Sequence, residues 1–356
     1  MCREISFNLT LDSTTQQSHQ SDQNNSAVPP TQQQHQPNSF NMAEAIGIIS
    51  GVLGIVSFLQ SNFPAQDPKG AKVQVKAGLG DKNSNLGGDI DNIYGYDYNN
   101  AYLGSAGGGS VGEGGVLELT IDQKVPGVQA DYVAVSNTDI GTCIAWISVK
   151  QYDGQSQGAW TGDIGYNCGQ HWYYGNQKAG TLPDGSDYRP YCAWLDGNHD
   201  QDRPSAALKF QVSAYGDHAK DTIANDHACD ATIFQYDEGK VDGQPSGKRT
   251  THKVATSPPA RYPWMESVLI HSNVTQHDAA HMCNHPKSYG PDFVDSNGMY
   301  CDMDTKTLTP VCKNDTDDKC VHLDHNTKTV TKRSFGVKRT DEAVHKTFES
   351  IEYWQE

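Results

Sequence analysis

The segment HDAAHMCNH, residues 277–285, gathers residue types that bind transition metals: His277, His281 and His285, with Cys283 between them. Histidines four apart share one helix face, a spacing that suits Zn2+. No glutamate stands between them, so this is not the helical metalloprotease motif. Cys283 is expected in a disulfide, which would remove it as a ligand. Two further stretches offer oxygen at alternate positions. In DKNSNLGGDID these are Asp81, Asn83, Asn85, Asp89 and Asp91; in DGNHDQD they are Asp196, Asn198, Asp200 and Asp202. Ca2+ takes about six to eight oxygens, and alternate residues of a tight loop can converge on one ion. Neither stretch is an EF-hand: the sixth positions hold Leu86 and Gln201 rather than glycine, and the closing glutamate is missing. Asx turns account for such loops without any ion.

A third kind of chemistry is sugar recognition. Tyr94, Tyr96, Tyr98 and Tyr102 fall in IYGYDYNNAY, and Trp160, Trp172, Tyr173 and Tyr174 flank GDIGYNCGQ. Exposed aromatic rings beside Asn, Asp and Gln stack on the apolar faces of sugars while the polar groups bind hydroxyls. A packed aromatic core is the alternative for both groups. Gly108-Gly109-Ser110-Val111-Gly112 fits G-x-S-x-G in form. However, it lies in a glycine run ahead of the strand-like VLELTID, where a nucleophile elbow would follow a strand and open a helix, so it reads as a turn. The chain has neither a P-loop nor a dinucleotide fingerprint. Paired carboxylates for hydrolysis remain open because their spacing is three-dimensional.

The elements that must position these groups are mostly strands. AKVQVKA, VLELTID and ALKFQVSA alternate apolar and polar residues, as half-buried strands do. DYVAVSN and TCIAWISV are continuously apolar and read as central strands. Gly-rich and Asp-Gly turns separate them, YLGSAGGGSVGEGG and LPDGSD among them. The expected fold is mainly β. Residues 64–216 form a β-sandwich-like body, residues 217–260 a polar loop or linker, and residues 261–356 a Cys-rich α+β region packed on the sandwich. In that last region WMESVLIHS reads as a strand, QHDAAHMCN as helical turns, CDMDTKTLTPVC as a hairpin, and AVHKTFESIEYW as a strand or short helix.

Nine cysteines are present: Cys2, and eight in the body at 143, 168, 192, 229, 283, 301, 312 and 320. They sit among Asp, Asn, Gly and Lys, which favours disulfides and an oxidising compartment over buried thiols. Cys312 and Cys320 are a feasible pair across the loop KNDTDDK. Sequons at Asn273 and Asn314 fit the same secretory route. With 27 basic and 43 acidic residues the net charge is −16, which repels phosphate backbones and argues against nucleic acid as a partner.

Residues 1–41, rich in Gln, Asn and Ser, bury too little apolar area to offset ordering entropy and are expected to be a disordered tail. Residues 42–63 hold the one long apolar stretch, AEAIGIISGVLGIVSFLQSNF. Gly47, Gly51 and Gly54 lie at helical spacing and form a small-residue face of the kind that packs helices in lipid. The run Ala45–Leu59 spans roughly 22 Å as a helix, short of the ~30 Å hydrocarbon core. An uncleaved anchor making membrane contact through 43–60, a secretion leader and a packed helix are the three readings.

This stretch resembles the glycine-zipper N-terminal helices of fungal HeLo-type cell-death proteins over some twenty residues. GDIGYNCGQHWYYGN, YCAWLDGNHD and YGPDFVDSNGMYCDMDTKTLTPVC resemble a family of cysteine-containing β-rich proteins of filamentous ascomycetes, over most of residues 65–320. That resemblance implies a fungal origin and a β-rich, disulfide-linked body; it brings no activity and no catalytic residues. The expected function is a non-catalytic binding protein, secreted or on the cell surface, for carbohydrate or a host or cell-wall surface. A membrane-active toxin or cell-death protein using residues 43–60 and a hydrolase are the alternatives. Ca2+ is the one cofactor the residues suggest.

Overall fold

Continuously apolar and alternating runs end up in different layers. In the computed structural model, Thr142–Lys150 is a strand buried along almost its whole length, with apolar side chains on both faces. Lys72–Ala77 instead buries only Val73, Val75 and Ala77, every second residue. The structure describes residues 63–65, 67–78, 87–138, 140–182, 184–199, 205–225, 227–245, 260–314, 319–332 and 344–356, all within one unit, Pro37–Glu356. The N-terminal tail, Gly47, Gly51 and Gly54, and the loop ligands Asp81, Asn83, Asn85, Asp200 and Asp202 lie outside the described residues.

Of the five sheets among the described residues, four stack in layers and the fifth is the short hairpin Gly180–Thr181 with Asp187–Tyr188. The first has the strand order Thr232–Gln235, Ala207–Gln211, Tyr132–Asn137, Gly88–Tyr96, Tyr102–Val111, Asp122–Gln123. The second runs Val116–Thr120, Lys72–Ala77, Thr142–Lys150, Cys192–Leu195, Trp172–Tyr173, with Gln157–Thr161 also paired to Thr142–Lys150. Every pairing in these two sheets is antiparallel. Between them lies a sandwich core that includes Val73, Ile93, Val135, Ile147, Trp160 and Phe210.

The third sheet, Thr307–Pro310, Met299–Asp302, Asp292–Val294, Val268–Ser272, Ser350–Trp354, packs on the back of the second. Val268–Ser272 is parallel to both of its neighbours, Asp292–Val294 and Ser350–Trp354, and the other pairings of this sheet are antiparallel. Trp172, Tyr173, Trp194, Ile270, Phe293 and Trp354 fill that second core. The fourth, Val321–Asp324, Thr329–Lys332, Val344–Thr347, covers the far side of the third over Leu269, Val294 and Val330. The second sheet is therefore an inner layer, which is why Thr142–Lys150 carries apolar residues on both faces. Lys72–Ala77 lies toward its edge, where one face stays partly exposed.

The mainly β class, the sandwich-like body and the disulfide-rich C-terminal region match expectation. All eight body cysteines pair, as Cys143–Cys192, Cys168–Cys229, Cys283–Cys301 and Cys312–Cys320. The last is the pair expected from its short loop.

Several local readings need correction. YLGSAGGGSV is a ten-residue strand of the first sheet rather than a turn. Its glycines permit close approach: a Cβ on Gly108 would lie 1.8 Å from the Ile90 carbonyl oxygen. The stretch expected as a linker contains the helix Ala219–Ala224 and the strand Thr232–Gln235, which pairs with Ala207–Gln211. WMESVLIHS splits into the helix Pro263–Ser267, with proline in its first turn, and the strand Val268–Ser272. AVHKTFESIEYW forms two strands in different sheets.

Candidate functional site

At one end of the sandwich, loops from both sheets surround a cleft of about 540 Å3. The first sheet contributes residues 97–99, 127–131 and 212–218, and the second contributes 151–156. Each loop is braced from within. Asp97 Oδ1 accepts the backbone N–H groups of Asn99 and Ala101, both at 2.8 Å, closing an Asx turn. Asn100 takes the left-handed conformation at φ 65° that asparagine tolerates well. The turn holds Tyr98 out at its tip, 72% exposed. Gln151, which is buried, ties two loops together: its Oε1 accepts from Ala130 N at 2.9 Å and its Nε2 donates to Ala130 O at 2.8 Å. Gln211 Nε2 donates to Asp131 Oδ2 at 2.8 Å, and Ser156 Oγ donates to Asp217 Oδ2. The result is a pre-formed opening with one exposed aromatic ring among carboxylates, the amides of Asn99 and Gln129, and the imidazole of His218.

Of the eight aromatic residues read as a sugar-binding surface, only Tyr98 stands in this cleft. Trp160, Trp172, Tyr173 and Tyr174 are at most 1% exposed, so the stacking role expected of them is ruled out by burial. Trp172 packs on Tyr191 at 4.7 Å between ring centroids, and Tyr174 packs on His277 at 4.4 Å. Tyr94 and Tyr96 do lie on the outer face of the first sheet, but the chain around Val241 covers them. Lys209, fully buried there, places Nζ 3.4 Å from the Tyr96 ring centroid and donates to Val241 O at 2.9 Å; burial pushes its ammonium down to about 8. Tyr102 is half-buried, with Lys240 Nζ 3.9 Å over its ring.

Among the described residues, the metal candidates do not assemble. Asp196 is buried and accepts from the Tyr262 hydroxyl at 3.4 Å, whereas Asn198 is exposed. Asp89 and Asp91 accept from the hydroxyls of Ser110 and Ser136. Cys283 is bonded to Cys301 and so cannot ligate a metal. His285 is wired with the wrong polarity: a metal takes one imidazole lone pair while the other nitrogen donates outward. Here Nδ1 accepts from Trp172 Nε1 at 2.8 Å and from Lys287 N at 3.1 Å, so the lone pair is spent inside the fold.

Among the described residues, Asp292, Asp302 and Asp304 form the one acidic or histidine cluster close enough to hold an ion. The protein's own cations already occupy it. Lys346 Nζ lies 2.7–2.8 Å from all three carboxylates, and Arg261 lies 2.8 Å from Asp292 and 2.6 Å from Asp304.

Two buried groups resemble catalytic ones in type alone. Ser272 Oγ lies 2.7 Å from His277 Nδ1, but both side chains are sealed, and burial pushes His277 down to about 3. Asp163 is 1% exposed, and burial raises its carboxyl to about 6 against the lowering effect of the Tyr188 hydroxyl, which donates to it at 2.7 Å. Its effect falls on stability instead. The folded value lies above the unfolded value of about 3.9, so the contribution is full below about pH 4 and fades as pH rises through about 6. A shift of this size corresponds to a loss of about 3 kcal/mol across that window. Urea titrations below and above it are expected to show this loss in the wild type. Asp163→Asn, which keeps an acceptor for Tyr188, is expected to flatten it. An equal slope in both proteins would refute the assignment.

No protein-family model and no curated protein matches this chain. Among the described residues no helix is long and apolar enough to cross a membrane. Sequence reasoning missed Gln129, Asp131, Asp217 and His218. They are single polar residues in separate loops, and nothing in their local pattern links them before the sandwich closes.

Proposed function

We propose that this is a non-catalytic carbohydrate-binding protein, secreted or displayed at the cell surface, that takes its ligand in the cleft at the end of the sandwich. The observation carrying this reading is Tyr98, 72% exposed among carboxylate and amide side chains on braced loops. An aromatic ring held out in a polar, concave site suits a sugar, whose apolar face stacks while its hydroxyls meet the polar groups. Four disulfides favour an oxidising compartment. Asn273 and Asn314 are both exposed, as glycan acceptors on a secreted chain would need to be.

The test is a glycan array followed by titration of the best ligand. Tyr98→Ala is expected to weaken binding about tenfold, the order of one aromatic contact. It should leave the melting temperature unchanged, because the ring contributes little to the core. A folded protein that leaves the array blank, or a Tyr98→Ala variant that binds as tightly as wild type, would sink the proposal.

A further inference from the structure

The cleft beside Tyr98 continues past His218. A second depression of about 310 Å3 starts at the same side chain and runs along Asp221, Asn225 and Asp230. Asp97, Asp131, Asp217, Asp221 and Asp230 all line the joined groove, and no lysine or arginine lines either part.

None of these five carboxylates is in an ion pair with a lysine or arginine among the described residues. Asp230 has only a 3.9 Å contact to His227, and the hydrogen bonds to Asp97, Asp131 and Asp217 come from backbone amides, Gln211 and Ser156. Among the described residues, no donor meets a second oxygen of Asp97, Asp131 or Asp217, or either carboxylate oxygen of Asp221. Elsewhere the chain treats acidic clusters differently: Asp292, Asp302 and Asp304 are bound by Arg261 and Lys346. Five uncompensated like charges along one concave surface focus a negative potential there and attract a cation.

Resting on the glycan reading of the cleft, we propose that the groove selects an oligosaccharide that carries free amino groups. Tyr98 supplies the stacking surface for the sugar rings, with or without free amines. The carboxylates, spaced along two connected depressions, meet successive ammonium groups of a chain. Uronic or sulfated sugars would be repelled by the same field.

The experiment is calorimetric titration of the full chain, in mildly acidic buffer where sugar amines are protonated. The probes are a short glucosamine oligomer and its fully N-acetylated counterpart of equal length. At about 50 mM salt the free-amine oligomer is expected to bind at least about tenfold more tightly, and by about 500 mM salt the preference should largely vanish. Asp131→Asn combined with Asp217→Asn should remove most of the preference, while Tyr98→Ala weakens both oligomers alike. If that double variant does not fold, Asp221→Asn, at an exposed side chain, should reduce the preference in the same direction.

Equal or tighter binding of the N-acetylated oligomer would overturn the charge selection and leave the glycan reading standing. Binding of neither oligomer, with another glycan retained on the array, would do the same. If no glycan binds at all, both readings fail. Oligolysine competing as well as the glucosamine oligomer, with Tyr98→Ala having no effect, would overturn the sugar assignment in favour of simple cation attraction.

Discussion

Asp292→Ala is expected to cost about 3–5 kcal/mol of folding free energy, as removal of one partner from a buried ion network does. The Asp292 carboxylate is fully buried and takes four donors: Arg261 Nη1 at 2.8 Å, Lys346 Nζ at 2.8 Å, the Tyr300 hydroxyl at 2.5 Å and Met303 N at 3.1 Å. Alanine would leave the Arg261 guanidinium, with its side chain 4% exposed, without its buried counter-charge. Asp292→Asn should fall between, since the amide keeps one acceptor but turns an N–H toward either Arg261 or Lys346. Removing Arg261 and Asp292 together, as Arg261→Met with Asp292→Leu, should cost less than Asp292→Ala alone, because no orphaned charge remains. Chemical denaturation reads all of these, and a loss below about 1 kcal/mol for Asp292→Ala would refute the account.

The network also sets an acid limit. Burial alone would raise Asp302, but hydrogen bonds from Lys346 and His345 outweigh it and hold the carboxyl well below the usual range. Asp304 is likewise lowered, mainly by Lys346 and Arg261 acting against its burial. Stability from depressed carboxylates is present above the unfolded value and is lost as pH falls through the folded one. It therefore acts below the window in which Asp163 titrates, and the two contributions have opposite slopes. Lys346 and His345 belong to the fourth sheet, Asp292 and Asp302 to the third, and Asp304 to the turn after Met299–Asp302. Acid should therefore loosen the contact between those two sheets first.

Strand character was legible wherever a face or a whole strand is apolar, as in Lys72–Ala77 and Thr142–Lys150, because burial leaves a periodic mark on the chain itself. The Cys312–Cys320 bond was legible for the same local reason. Tyr102–Val111 was not: its glycines serve the neighbouring backbone of Ile90, and proximity to another strand leaves no periodic trace. The tyrosines show the limit most clearly. Tyr94, Tyr96 and Tyr98 are spaced alike, yet Val241, far along the chain, covers the first two, while the Asp97 turn lifts the third into solvent. The polarity of His285 likewise depends on Trp172, 113 residues away. Exposure and hydrogen-bond direction are set by distant segments, so residue type and spacing nominate candidates that only the closed fold can sort.

The second large effect concerns the disulfides, which should differ in weight. Cys143–Cys192 spans 49 residues, and its removal frees an unfolded-state loop with an entropic cost of about 4 kcal/mol. Both cysteines are fully buried in the core between the second and third sheets, so paired alanines would also leave unfilled space there. Gly78 is already pressed against this bond: a Cβ there would lie 2.4 Å from Cys192 Cβ. Cys312–Cys320 closes only 8 residues beside an exposed turn, for which the same relation gives about 2.5 kcal/mol. In denaturant titrations without reductant, the Cys143→Ala/Cys192→Ala protein is expected to be the less stable by well over 1 kcal/mol. Equal losses in the two pairs would mean that loop length and burial do not govern these bonds. A larger loss for Cys312→Ala/Cys320→Ala would mean that anchoring the fourth sheet, whose first strand begins at Val321 directly after Cys320, matters more than closing the sandwich.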